Sequence, residues 1–211
     1  MITVISRNGL LLAAFAIVCT AAIAIISQLT KPVIAKQEQL ALINTINQLI
    51  PEETYDNDIF ASCFLVNDDL YLGKGKTQQV FLAKKDNTPV ALMLETSTFK
   101  GYAGEIKLAV GIFENGEVAG VRVIRHTETP GLGDKIQTNK TDWIYGFNNK
   151  FYQKEQETRW EVKKNGGDID AFTGATITPR AVTHAVKDAL IYFANNKQQL
   201  FNHEADCGDL K

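Results

Sequence analysis

The sequence predicts an α+β fold: an antiparallel sheet packed with helices, preceded by one N-terminal transmembrane helix. Three observations carry this. Residues Asn8 to Thr30 contain no charged side chain. Five apolar runs between residues 60 and 124 are separated by turn residues, and the chain closes on a stretch whose apolar positions repeat at helical spacing. The composition suits one domain with a real core: 211 residues, 45% hydrophobic and 22% charged, with a net charge of −2. That balance offers no basic field, so nucleic-acid binding is set aside.

After a short tail, residues 1–8, the run from Gly9 to Ile26 is almost wholly apolar. A bilayer is crossed by about 20 such residues, so residues 9–29 are expected to form a transmembrane helix. The competing reading is a cleaved signal peptide with Ala22-Ile23-Ala24 as its small-residue site, whose apolar region would run to only about 7–15 residues. Arg7 precedes the span and Lys31 and Lys36 follow it, so the charge flanks do not set its direction. Residues 31–51 then read as an amphipathic helix. Ile34, Leu40, Ile43, Ile46, Leu49 and Ile50 recur at three- and four-residue spacing, and Pro51 ends the pattern. It is either a stalk that lifts residues 52–211 off the bilayer or an ordinary helix packed on the core.

Strands are expected at Phe60–Val66, Gln79–Ala83, Val90–Glu95, Glu105–Phe113 and Val118–Ile124. The punctuation between them is Gly73, Gly75, Asp86-Asn87, Gly101 and Asn115-Gly116, the last being the clearest hairpin turn. Short intervals favour an antiparallel meander. A helix around Thr141–Phe147 and a strand at Arg159–Val162 follow. The final helix should start with Thr178 as N-cap and Pro179 at its first position and run to about Asn195. Val182, Val186, Ala189, Leu190 and Phe193 would then share the face packed on the sheet.

Two stretches carry the chemistry. The first is Asp170-Ala171-Phe172-Thr173-Gly174-Ala175-Thr176-Ile177-Thr178-Pro179-Arg180, with three hydroxyls, two small residues and a helix start in one run. Free N–H groups and the positive dipole end at a helix start favour an anion near Thr176. The plainer reading is a loop and a cap. The second is His126-Thr127-Glu128-Thr129-Pro130-Gly131-Leu132-Gly133-Asp134-Lys135, in which Pro130-Gly131 asks for a type II turn with Gly131 at positive φ. Its lone Gly-x-Gly is no phosphate fingerprint. Histidines and cysteines show no His-x-x-x-His or Cys-x-x-Cys spacing, so no metal site is expected. Trp143, Tyr145 and Phe147 read as core or interface residues.

The first stretch resembles the flavinylation motif of the FMN-binding domain family, Asp-x-x-(Ser/Thr)-Gly-Ala-Thr, with Asp170, Thr173, Gly174, Ala175 and Thr176 in register. The second, preceded by Gly101-Tyr102-x-Gly104-x-Ile106, resembles the G subunit of the Rnf/Rsx ion-translocating electron transport complexes. The C subunit of the sodium-translocating NADH:quinone reductase is related through the flavinylation motif. The likeness runs over nearly the whole chain.

The resemblance implies a redox subunit, not a stand-alone catalyst, that relays electrons through FMN held by a phosphoester to Thr176. A separate flavin transferase would move FMN from FAD onto that hydroxyl. It implies cofactor contacts at Glu128, Thr129, Gly131 and Leu132, with Tyr102 in the matching upstream loop. Asp170 could assist the transfer, and Thr173 and Thr178 could donate hydrogen bonds to the phosphate. Arg180 would neutralise the phosphate or serve as a surface residue, and His126 would tune the flavin or satisfy a strand end. Ala171 stands where the family often has Gly, a departure that matters only if the backbone there needs positive φ. The implied location is the bacterial inner membrane, single-pass, with the soluble domain on the periplasmic side and other complex subunits as partners. The alternative function is an assembly module of a membrane complex with a structural flavin. A threonine-nucleophile hydrolase would need an adjacent base that the sequence context lacks.

Of three cysteines, Cys19 falls within the span. Cys63 in the first strand and Cys207 in the polar tail Asn202–Lys211 are a candidate disulfide in an oxidising periplasm, with two free thiols as the alternative.

Overall fold

The structure, a computed structural model, describes residues 2–207. The first residue of the 1–8 tail and the last four of the Asn202–Lys211 segment lie outside the described residues. The chain divides into two units, Met1–Asn44 and Thr45–Lys211.

Helix α1 runs unbroken over Ile2–Leu49. The expected span and the stretch after it are thus one continuous helix. Pro32 lies inside the helix and removes only one backbone bond, while Lys36, Leu40, Ala41 and Leu42 are strong helix formers that carry the helix on. Within the first unit, Arg7–Ile34 is long and apolar enough to cross a membrane, and none of its window is buried. Leu10 and Phe15 stand 73% and 71% exposed, so this stretch is not a buried core helix.

The second unit begins with the last turn of α1. Ile46, Leu49 and Ile50 are buried against one face of a five-stranded sheet ordered β1-β2-β3-β4-β5. The strands are β1 (Cys63–Asn67), β2 (Thr77–Lys85), β3 (Thr88–Thr98), β4 (Ile106–Phe113) and β5 (Val118–His126), each antiparallel to the next. The paired glycines Gly111 and Gly120 leave the groove that Leu49 fills, since a Cβ on either would come within 3.1 Å and 3.0 Å of its side chain. Arg122 reaches back to Gln48, donating to Oε1 at 3.0 Å, and lies over the Tyr145 ring. Asp86 and Asn87 both take positive φ, 50° and 62°, as the two centre residues of a type I′ hairpin must.

Helix α2 (Ile177–Phe201) covers the opposite face. Its buried residues Val182, Val186, Ala189, Leu190 and Phe193 join Val80, Leu82, Leu92, Leu94, Leu108 and Val110 in one core. It outruns the expected end at Asn195 because Leu200 is buried and Phe201 meets Phe193 edge-on at 5.8 Å, so packing overrides the weak helix propensity of Asn195 and Asn196. The segment between β5 and α2 holds short 3-10 turns and no strand. Trp143–Phe147 and Lys154–Arg159 are 3-10 helices. The expected strand at Arg159–Val162 is reduced to a single bridge between Val162 and Ile169.

The outer edge of β1 is closed by the C-terminal segment. Cys63 and Cys207 form a disulfide with a Cα–Cα distance of 5.5 Å. The Asp206 and Cys207 N–H groups both donate to the Cys63 carbonyl, the Asp206 carboxylate accepts the Leu65 N–H, and the His203 ring stacks on Phe64 at 4.4 Å. An exposed edge strand invites pairing with other chains, and this segment occupies that edge.

Candidate functional site

Three loops converge at the N-terminal end of α2. The β3–β4 connection supplies Gly101–Gly104, the segment after β5 supplies Glu128–Gly133, and the turn Phe172–Ala175 leads directly into the helix. Between them is a cleft of about 260 Å³ lined by Tyr102, Glu128, Thr129, Leu132, Gly133, Gly174, Ala175, Thr176, Ile177 and Thr178.

Each loop has a local reason for its shape. Gly131 takes φ 78° and the Leu132 N–H returns to the Thr129 carbonyl at 3.2 Å, as the Pro-Gly turn requires. Gly174 takes φ 81° and the Ala175 N–H bonds the Phe172 carbonyl at 3.1 Å, so the Thr-Gly pair of the motif is itself a tight turn. Ala171 is not among the positive-φ residues, so the Gly-to-Ala departure is accommodated without strain. Trp143 pins this turn from behind. Its indole N–H donates to the Asp170 carbonyl at 2.7 Å, and its ring meets Phe172 and Phe147 edge-on, so the aromatic cluster supports the site without lining it.

The three motif threonines are treated differently. Thr173 is exposed and is not part of the cleft lining. Thr178 is 1% exposed, and its hydroxyl donates to Glu128 Oε2. Thr176 is half-buried, lines the cleft and makes no side-chain capping bond although it occupies the N-cap position. This corrects the sequence expectation that Thr178 caps the helix. The helix starts two residues earlier, and the Thr178 hydroxyl is drawn to a buried carboxylate instead of to the backbone. In the structure the one Thr178 hydroxyl proton is engaged by Glu128.

Glu128 is the most enclosed carboxylate of the site, 4% exposed. Its Oε1 accepts the Ala103 N–H at 3.0 Å. A Cβ on Gly101 would lie 2.6 Å from Oε1, and one on Gly133 the same distance from Oε2. The Glu128 N–H donates to His126 Nδ1 at 3.0 Å, so His126 closes the end of β5 and does not line the cleft. Gly101, Gly133 and Ile177 are the site residues that sequence reasoning missed. The Gly-Leu-Gly spacing is visible in the sequence, but its purpose, room for a carboxylate from the same loop, is a tertiary fact.

Asp170 lies outside the cleft lining. Its carboxylate pairs with Lys163 at 2.7 Å on the surface. Gly131 shapes its turn but does not line the cleft either, and Arg180 is exposed. At the rim, Tyr102, Leu132 and Ile177 present 70%, 44% and 41% of their surfaces, an apolar surround fit for a flat, partly solvated ring. The cleft floor is the start of a 25-residue helix, whose first N–H groups lack intrahelical partners and whose dipole favours an anion. Further along α2, His184 meets Glu161 at 2.6 Å. Burial pushes that carboxyl up, but His184 and the other donors outweigh it and hold it below its usual range.

A small-residue turn, a free hydroxyl, a helix N-terminus and an apolar rim define a site for a ligand with an anionic end and a planar apolar body. The sequence model of the FMN-binding domain matches residues 101–191, the span that contains all three loops. That of the RnfG N-terminal region matches residues 1–49. The chain is 49% identical over 207 residues to the G subunit of the ion-translocating oxidoreductase complex of Vibrio cholerae serotype O1, covering 98% of this chain and 99% of that one. It is 47% identical over 203 residues to the Shewanella amazonensis G subunit, covering 96% and 94%, and 46% over 201 residues to that of Shewanella piezotolerans, covering 95% of each. The chain belongs to the family of G subunits of ion-translocating oxidoreductase complexes.

Proposed function

We propose that this chain is a membrane-anchored electron-transfer subunit that carries FMN on Thr176 through a phosphoester and works within an ion-translocating oxidoreductase complex. The single observation that carries this reading is that Thr176 is the one motif threonine both lining the cleft and free of a hydrogen bond to its hydroxyl.

The residues present fit such a group. Thr176 Oγ would hold the phosphorus, the first turn of α2 would face the phosphate charge, and the Gly174-Ala175 turn leaves room beside it. Tyr102, Leu132 and Ile177 would cover the apolar ring while leaving an edge open to solvent. When bound, FMN would supply one- and two-electron redox chemistry that no side chain here offers. The protein positions the ring and shields one side of it. Attachment would form the Thr176 Oγ–P bond, break the phosphoanhydride of FAD, release AMP and shed the hydroxyl proton, with a flavin transferase as the catalyst. Thr176 takes no further part in turnover.

The apolar helix Arg7–Ile34 would anchor the subunit in the bacterial inner membrane, with residues 52–211 on the periplasmic side beside the other complex subunits. A Cys63–Cys207 bridge suits that oxidising side. The test is denaturing electrophoresis of the purified chain with and without a co-expressed transferase. A fluorescent flavin band that survives denaturation only when the transferase is present supports the reading, and its absence in both samples contradicts it. Protease accessibility of the domain in intact spheroplasts checks the side: cleavage is expected, and protection would place it in the cytoplasm.

A further inference from the structure

We propose that Glu128 is a positioning residue for flavin attachment: through Thr178 it fixes the first turn of α2 so that Thr176, and not Thr178, presents a free hydroxyl to the cleft. This rests on the covalent reading above and assigns a part of it to a side chain outside the attachment motif.

The geometry excludes a simpler role. A carboxylate has the wrong sign to bind a phosphate diester, yet this one is buried in the cleft wall. Among the described residues no ion pair offsets it, and a buried carboxylate without a cation is tolerated only when its oxygens are hydrogen-bonded. Both are. Oε1 takes the Ala103 N–H and Oε2 takes the Thr178 hydroxyl, so one side chain joins the β3–β4 connection, the segment after β5 and the start of α2. Gly101 and Gly133 make this possible, because a Cβ on either would stand 2.6 Å from a carboxylate oxygen.

The consequence for Thr176 follows from chain connectivity. Thr178 is two residues further on, in the same first turn, so its anchor sets the rotation of that turn about the helix axis. The Thr178 hydroxyl donates its one proton to Glu128 Oε2, while the Thr176 hydroxyl makes no capping bond. Attachment joins Thr176 Oγ to the flavin-side phosphorus of FAD and releases AMP and a proton. The rate of that transfer depends steeply on where the hydroxyl sits.

The test uses the full chain co-expressed with a flavin transferase. Covalent fluorescence per protein is followed in time, and thermal unfolding is recorded for each variant. Glu128→Ala and Thr178→Val should each slow attachment by about tenfold or more while the domain still melts cooperatively. Thr178→Ser keeps the hydroxyl and should attach flavin at close to the wild-type rate, a rescue that bulk packing alone would not give. Glu128→Gln can still accept from Ala103 but turns an amide N–H toward Thr178, and should fall between wild type and Glu128→Ala. The double variant Glu128→Ala/Thr178→Val should be no slower than the slower single one, because both remove the same link.

Wild-type rates in Thr178→Val or Glu128→Ala, or independent losses that multiply in the double variant, would overturn the proposal and leave the covalent reading intact. A wild-type chain that takes up no covalent flavin overturns both. If Glu128→Ala does not fold, the Thr178→Val and Thr178→Ser pair decides alone.

Discussion

The Glu128 carboxylate and Gly133 are in such close approach that a Cβ on Gly133 would stand 2.6 Å from Oε2 and 2.8 Å from the Thr178 hydroxyl. Gly133→Ala should therefore push the carboxylate off Thr178 and open the cleft wall. The expected loss is about 1–3 kcal/mol, the range for overpacking a filled site, measured by denaturant unfolding of the flavin-free chain. Gly131→Ala has nothing within 4 Å of its new methyl, so its loss should come from the backbone at φ 78° alone. Equal stability of Gly133→Ala and wild type would mean that this contact has no weight.

Asp188, near the middle of α2, makes a pH-dependent contribution. Burial pushes its carboxyl above the usual aspartate value, against the opposing pull of Lys100, Lys187 and His184. The folded chain thus holds this proton to higher pH than the unfolded chain does. Stability is lost as pH rises from the ordinary aspartate range through the raised value, and the penalty is present at neutral pH. Asp188→Asn should raise the melting temperature at neutral pH and give no gain at about pH 3, where the native aspartate is already protonated. A lower melting temperature at neutral pH would show that the neighbouring Lys100 and Lys187 charges outweigh burial.

The bond between Cys63 and Cys207 spans a sequence separation of 144 residues. Removing it with Cys63→Ser/Cys207→Ser should cost about 2–5 kcal/mol, mostly by freeing the unfolded chain. The hydrogen bonds of Asp206 to β1 should loosen with it, seen as faster amide exchange at Leu65. Two alkylatable thiols in the natively folded, unreduced chain would contradict the pairing.

Much of the fold is legible in the sequence because it depends on local pattern. The five strands, the hairpin at Asn115-Gly116 and the α2 face of Val182, Val186 and Phe193 follow from periodicity that burial then rewards. The errors fall where tertiary contacts override local signals. Thr178-Pro179 has the sequence of a helix start, but the Glu128 carboxylate takes the Thr178 hydroxyl and leaves Thr176 at the N-cap. In the site, Thr176, Gly174 and Leu132 are visible from the motifs. Gly101 and Gly133 are not, since their purpose is space for a side chain up to 27 residues away in sequence. The motif suggests Asp170 as a helper in transfer; its carboxylate lies beside Lys163 at the surface, and its backbone carbonyl accepts the Trp143 indole N–H.

Peptide mapping by mass spectrometry of the chain purified after co-expression with a flavin transferase bears most directly on covalent flavin at Thr176. The peptide containing residues 170–180 should carry the added mass of an FMN phosphoester with fragment ions that place it on Thr176. Thr176→Val, which removes one hydroxyl at nearly constant volume, should yield the same peptide unmodified from a normally folded protein. FMN on Thr173 or Thr178, or full covalent flavin in Thr176→Val, would contradict it.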